Sequence, residues 1–254
     1  MTLLLAALLA TSPQTTELLF QVGAGKHVVG APSGSQYPPE AAKLPTIGTL
    51  FAPSLEKVLA LRPTAVVLDA LNANPSFEAS VLALGLKTFV WDTRSPFAML
   101  ADARRLQREL GLSLDLKTVD KWENCLKRLH TNRPAAALKY VGLVWMDPPI
   151  AWGGGAFLSH LFSEMGYENA LSSQFHSPYV PVTEEWLLQQ KVDRAFYLQH
   201  ASENAQSNQA RLRRWWPDSV EKTALSADAF ARASLTPLQN LNAVARAPLP
   251  APCR

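Results

Sequence analysis

One long amphipathic stretch near the middle of the chain limits the folds that the rest can adopt. It covers residues 114–130 and reads LDLKTVDKWENCLKRLH, with apolar residues at helical spacing and charged residues on the opposite face. At 1.5 Å per residue, a helix of this length would be roughly 25 Å long. That is enough to span between two lobes.

Apolar strands alternate with helices on both sides of this stretch. Before it, the strand candidates are residues 4–9, 27–30, 65–68 and 88–91; after it, they are 140–145, 194–198 and 223–225, with a last helix at about 234–245. Such alternation predicts the α/β class, with mostly parallel sheets covered by helices. The predicted limits are 1–112 for the first lobe, 113–132 for the bridging helix and 133–254 for the second lobe, with a disordered tail from about 247.

The segment GAGK, residues 23–26, is the only motif that suggests a nucleotide site. A phosphate loop needs two glycines separated by four residues, then Lys and a hydroxyl residue. Phe20 occupies the place of the first glycine and His27 follows the lysine. The predicted order of strand and helix is also inverted. We therefore interpret the segment as a helix stop, with Gly23 in the left-handed conformation.

Composition excludes several function classes. A net charge of +3 is too small to favour nucleic acid as a partner. No ordered nucleophile motif occurs, and neither CxxC nor HExxH is present, so neither an enzyme nor a metal centre is expected. A disulfide between Cys125 and Cys253 is compatible with the sequence, but the sequence does not imply one. The apolar start of the chain is either a degenerate signal peptide or a buried strand, and the strand is preferred.

Three stretches resemble one family. They are SPQTTELLFQVGAGKHVVG followed by YPPEAAKLPTIGTLFAPSLEKVLALRPTAVVL, then GGGAFLSHLFSEMGYENA followed by PYVPVTEEWLL, and finally DAFARAS. They resemble the metal-chelate class of substrate-binding proteins, which are extracytoplasmic receptors for vitamin B12, haem and ferric siderophores that serve ABC importers. The resemblance covers nearly the whole chain. It implies two Rossmann-like lobes joined by a single long α-helix, with the ligand held in a cleft between them.

The resemblance also implies ligand-binding residues. Some align with aromatic positions of the family members that bind vitamin B12: Tyr37, Leu50 with Phe51, Asp69 and Tyr179. Trp152 lies two residues past a further such position and either supplies a ring or packs in the core. Asp228, Phe230 and Arg232 retain part of a loop that meets the amide-bearing edge of the ligand.

Departures from the family pattern leave the ligand open. Residues 50 and 69 lack an aromatic ring, which removes stacking surface for a flat macrocycle. Cobalamin or a related corrinoid is the first expectation. Haem is the alternative, with Tyr37, Tyr179 or His176 as iron ligand. Anionic siderophores are demoted because Arg232 is the only cleft cation that can be placed.

The resemblance implies a transporter as partner. Glu56 and Glu185 align with two exposed glutamates of the family, one in each lobe. In the family, these glutamates dock onto arginines of the membrane permease of an ABC importer. A capping role in the first helical turn is the alternative for each. A monomer in the periplasm is expected, although no clear export signal is visible. A solitary sensor module without a transporter is the competing function class.

Overall fold

A computed structural model of the protein describes residues 6–72, 74–172 and 175–253. The chain divides into two compact units. Unit 1 contains the described residues up to 93 together with 97–123, and unit 2 contains 94–96 and the described residues from 124 onward.

Unit 1 is built on a four-stranded parallel sheet. Its elements are β1 (Leu8–Ala10), α1 (Pro13–Gln21), β2 (Val28–Gly30), α2 (Leu55–Ala60), β3 (Ala65–Asp69), α3 (Pro75–Ala83), β4 (Lys87–Trp91), α4 (Pro96–Leu110) and the start of α5 (Leu116–Thr131). The strand order is β2-β1-β3-β4. Every residue of the two central strands is buried, as expected of a parallel sheet covered on both faces.

The helix stop predicted at GAGK is confirmed. Helix α1 begins after Ser12, whose hydroxyl accepts a hydrogen bond from the Thr15 amide at 3.0 Å. It ends at Val22, and Gly23 follows with φ of 82°, a conformation that favours glycine. The strand predicted at residues 4–9 corresponds to β1, while positions 4 and 5 lie outside the described residues.

Unit 2 is built on a mixed six-stranded sheet. Its elements after α5 are β5 (Leu138–Met146), β6 (Pro149–Trp152), α6 (Phe157–Glu164), β7 (Tyr167–Asn169), β8 (Tyr179–Pro181), α7 (Glu184–Gln189), β9 (Arg194–Gln199), α8 (Ala205–Trp215), β10 (Glu221–Ser226), α9 (Ala227–Phe230) and α10 (Thr236–Gln239). The order is β10-β9-β5-β6-β8, with β7 also paired to β5. Strands β10, β9, β5 and β7 run parallel to one another. Strand β6 is antiparallel to both of its neighbours, β5 and β8.

Taken together, the elements confirm the predicted α/β class and its mostly parallel sheets. The helix predicted at 234–245 is wrong as a continuous element. It divides into α10 and a short 3-10 turn, Leu241–Ala243, because Asn240 leaves the helical conformation. The Asn240 side chain donates to the Thr236 carbonyl at 2.8 Å, which stabilises the end of α10.

A helix, α5, covers most of the stretch predicted at 113–132, and a disulfide joins it to Cys253. Cys125 is fully buried on α5 and bonds to Cys253, within unit 2. The tail therefore differs from the predicted disorder: Leu249 is buried, and residues 251–253 form a 3-10 turn. A covalent link and one buried apolar side chain order a segment whose Pro-rich composition suggested otherwise.

Candidate ligand-binding and docking residues

Two of the predicted ligand-binding aromatics in unit 1 lie on exposed loops. Tyr37 is 40% exposed and Phe51 is 83% exposed. The Phe51 loop is tight, because Gly48 has φ of 114° and a Cβ there would lie 2.4 Å from the Ala52 carbonyl oxygen. The Thr49 hydroxyl accepts the Ala52 amide at 3.0 Å. This turn presents an aromatic ring to solvent, the arrangement that a stacking contact requires.

Asp69 has a structural role instead of an exposed one. It ends β3, is 3% exposed, and accepts hydrogen bonds from the Leu71 amide and the Asn72 side chain, both at 3.0 Å, and from the Thr93 hydroxyl. The carboxylate is thus committed to the turn that follows the strand. The expected contact of Asp69 with a ligand stays a prediction. Leu50 and Asp69 both line a small pocket at the end of β3.

Tyr179 is placed in unit 2 by a close approach of two backbone segments. It begins β8 and is 42% exposed. The preceding segment passes directly over the glycines at 153–155: a Cβ on Gly153 would lie 2.0 Å from the Ser177 carbonyl oxygen, and one on Gly155 would lie 2.1 Å from that of His176. Only glycine permits this approach. The triple glycine therefore positions the loop that carries Tyr179.

Trp152 packs in the hydrophobic core, which is the second of the two roles expected for it. It is 1% exposed and packs edge-on against Tyr140 and Phe162, with ring centroids 6.3 and 5.6 Å apart. Its six-membered ring covers Gly142 on the neighbouring strand. The ring fills a space that a glycine on β5 creates.

Gly142→Ala is expected to destabilise unit 2 by about 1–3 kcal/mol, because the new Cβ would lie 1.8 Å from Trp152 Cε3 and force the ring to move. Urea unfolding measures the loss. In a Trp152→Ala background the same substitution should cost much less, since the obstacle is gone. Equal costs in the two backgrounds would contradict this packing.

The residues predicted in the loop after β10 differ in exposure. Phe230 is 3% exposed and lies among the buried core residues. Asp228 is exposed, and Arg232 is half-buried. Arg232 Nη2 donates to the Asp228 carbonyl oxygen at 2.6 Å, a contact that closes the short helix α9. Asp228 and Arg232 thus stay candidates for polar contacts with a ligand.

Glu56 and Glu185 occupy equivalent positions in the two units. Each is the second residue of a six-residue helix whose N-cap is a hydroxyl residue, Ser54 in α2 and Thr183 in α7. Both glutamates are exposed, and across the described ranges neither takes part in an ion pair. Hydrogen bonds from its own amide and from the Thr183 hydroxyl lower the pKa of Glu185, so its carboxylate is charged at neutral pH.

Glu184, the neighbour of Glu185, differs because its charge is compensated by arginines. Glu184 lies beside Arg214, which donates to it, and 4.0 Å from Arg211. Arg211 also pairs with Asp147 at 2.5 Å. The charge of Glu184 is therefore compensated, whereas that of Glu185 is available to a partner.

Trp145 and His200 were missed by the sequence reasoning. Trp145 is 36% exposed although it lies in a strand, and its ring centroid is 4.9 Å from that of His200. The run YVGLVW, residues 140–145, predicts a strand but does not indicate which of its residues is exposed. The exposure of its last residue, Trp145, could have been predicted from the polar turn that follows at 147–148, because strand ends emerge from the core.

In the part of the chain that the structure describes, no three His, Cys, Asp or Glu side chains are grouped to hold a metal ion. Among those same residues, no helix has the length and apolar character needed to cross a bilayer.

Comparison with known proteins identifies the class. A family model described as periplasmic binding protein matches residues 8–214. The chain therefore belongs to the periplasmic binding protein family, which confirms the resemblance seen in its motifs.

The curated relatives of the chain include vitamin B12-binding proteins. The chain is 26% identical over 189 residues to the vitamin B12-binding protein of Photorhabdus laumondii, covering 72% of the chain and 67% of the relative. It is 28% identical over 186 residues to that of Salmonella paratyphi A, covering 70% and 66%. The matches thus span about two thirds of the length of these relatives.

Solved structures share the fold. The periplasmic vitamin B12-binding protein of Vibrio cholerae superposes with a TM-score of 0.76 at 24% identity, covering 94% of this chain and 93% of that one. The periplasmic haem-binding protein of Vibrio cholerae gives 0.72 at 18% identity, covering 93% and 96%. At these identities the likeness concerns the fold alone.

Proposed function

We propose that this chain is a periplasmic receptor that captures cobalamin or a related corrinoid and delivers it to an ABC importer. The observation that carries the proposal is membership of the periplasmic binding protein family, with curated relatives named vitamin B12-binding proteins. Binding and delivery involve no covalent chemistry, so the proposal assigns no catalytic residue and no enzymatic activity.

The exposed aromatics support a large amphipathic ligand. Tyr37, Phe51 and Tyr179 present rings on loops or strand ends, and aromatic faces with a few polar groups suit a flat macrocycle. Asp228 and Arg232 would supply the polar groups, one accepting and the other donating hydrogen bonds. A corrinoid carries neutral amides around its ring, and such amides can both donate to Asp228 and accept from Arg232.

Haem is the second candidate because two phenols and an imidazole are accessible. Tyr37 and Tyr179 are each about two-fifths exposed and His176 is exposed; all three are side-chain types that bind haem iron. The close fold likeness to a haem-binding protein makes this alternative worth testing directly.

A desalting experiment decides between the ligands. Protein incubated with cobalamin and passed through a desalting column should retain the corrinoid absorption bands at about one ligand per chain. Haem should be retained weakly or not at all. An intense haem band that shifts in Tyr37→Phe or Tyr179→Phe would favour haem instead. Retention of neither chromophore would contradict the proposed function.

The proposed partner is the membrane permease of the importer, docked through Glu56 and Glu185. Their equivalent helix positions give each unit one uncompensated negative charge, and a pair of such charges can set the register on a basic surface. The competing proposal, a solitary sensor, requires neither glutamate. We also propose that the chain acts as a monomer.

The proposed location agrees with the covalent structure. The Cys125–Cys253 disulfide accounts for both cysteines of the chain. Disulfides persist in oxidising compartments such as the bacterial periplasm and are rare in the cytosol.

A further inference from the structure

We propose that Trp145, held in place by His200, is an additional ligand-stacking surface in unit 2. This inference rests on the proposed tetrapyrrole-binding function and adds a residue to it. It addresses a deficit that the sequence raises, namely the lack of aromatic rings at residues 50 and 69.

The position of Trp145 is the first argument. It is the penultimate residue of β5, next to the carboxyl end of that strand. In open α/β sheets, ligands bind outside the carboxyl ends of the parallel strands. Strand β9 pairs with β5 on one side and with β10 on the other, all parallel, so the three strands end at the same edge.

The neighbours at that edge are the second argument. His200 directly follows β9, and the loop with Asp228 and Arg232 directly follows β10. The residues that end these three adjacent strands are thus an exposed indole, an imidazole and the polar loop already proposed to contact the ligand. Trp145 supplies an aromatic face beside that loop.

The way in which the ring is held is the third argument. Trp145 Nε1 donates to the Asp147 carbonyl oxygen at 2.8 Å. His200 packs at 4.9 Å between centroids, and its own Nε2 lies 3.0 Å from the Val144 carbonyl oxygen. The polar atom of the indole is thus hydrogen-bonded, its ring is supported on one side, and about one third of its surface is open. Because the ring is already held in place, it loses little conformational freedom when a planar ligand stacks on it.

The environment of the ring favours a planar, uncharged conjugated surface as its occupant. Near the indole the Asp147 carboxylate is already paired with Arg211 at 2.5 Å. What the indole offers is therefore a π-face, which suits offset stacking on a corrin or porphyrin plane.

Calorimetric titration with cobalamin and, separately, with haem tests the proposal. Trp145→Ala should weaken binding of the ligand that wild type prefers by about tenfold, while Trp145→Phe retains most of the affinity. His200→Ala should weaken binding by about threefold, because it removes only the support. The control Leu188→Ala, which removes an apolar side chain that is 56% exposed on α7, should leave affinity unchanged.

The outcomes separate this inference from the function on which it rests. Wild-type binding of either ligand with unchanged affinity in Trp145→Ala would overturn the role of Trp145 alone. Wild type that binds neither ligand would overturn both proposals. If the loss of unfolding free energy in Trp145→Ala, measured in urea, is as large as its loss of binding free energy, Trp145 has a merely structural role. That result would also overturn the inference.

Discussion

Replacing Cys125 and Cys253 by alanine is expected to lower the free energy of unfolding by about 2–5 kcal/mol. The disulfide closes a loop with a sequence separation of 128 residues, and the constraint on the unfolded chain grows with the length of that loop. The bond at residue 253 is the covalent link between the tail and α5, so residues 251–253 should detach from that helix in the variant. Urea unfolding of the oxidised wild type and the double variant measures the difference.

Two controls isolate the covalent link. Dithiothreitol should shift the wild-type midpoint to that of the variant and leave the variant unchanged. Cys253→Ala alone should lose nearly as much stability as the double variant, because the buried Cys125 side chain is then still present. Identical midpoints for oxidised wild type and double variant would show that the tail contributes nothing through the disulfide.

Removing both exposed glutamates is expected to abolish delivery without affecting capture. Glu56→Ala combined with Glu185→Ala deletes one uncompensated charge from each unit, while each helix keeps its hydroxyl cap. Each lost contact to a permease arginine should reduce productive docking by about tenfold or more. Uptake of radiolabelled cobalamin, by cells in which this chain replaces the resident receptor, should fall by about a hundredfold, with unchanged affinity in calorimetry.

Glu184→Ala is the matched control for this prediction. It removes a carboxylate adjacent to Glu185, but one that Arg211 and Arg214 already compensate. Uptake should therefore stay near the wild-type level. Full uptake by the double glutamate variant would instead favour a receptor that functions without docking through these charges.

The sequence predicted the elements of the fold well where local signals dominate. Ser12 and Gly23 limit α1 through capping and positive φ. The buried runs AVVL in β3 and AFYL in β9 are apolar throughout. It failed at the short strands β6 and β8, since β6 depends on antiparallel pairing with β5 and β8 on antiparallel pairing with β6. Pairing between distant segments leaves little trace in either segment alone.

The candidate site was harder to predict because exposure depends on the tertiary structure. Trp152 and Tyr179 pair directly on adjacent strands, yet one ring fills the core and the other is open to solvent. Gly142 explains the difference, since it leaves room for the Trp152 ring on the neighbouring strand. Asp69 similarly gained three donors that its sequence context did not reveal.

The disulfide also determines how the chain responds to a protease. Because residues 125 and 253 are joined with their Cα atoms 4.9 Å apart, the segment between them is a closed covalent ring. One cut anywhere in that ring opens it into a single branched molecule of unchanged mass on a non-reducing gel, apart from the added water. A cut before residue 125 releases a separate fragment at once. The two halves of the receptor therefore differ in how they survive nicking, and only a reducing gel reveals damage to the second.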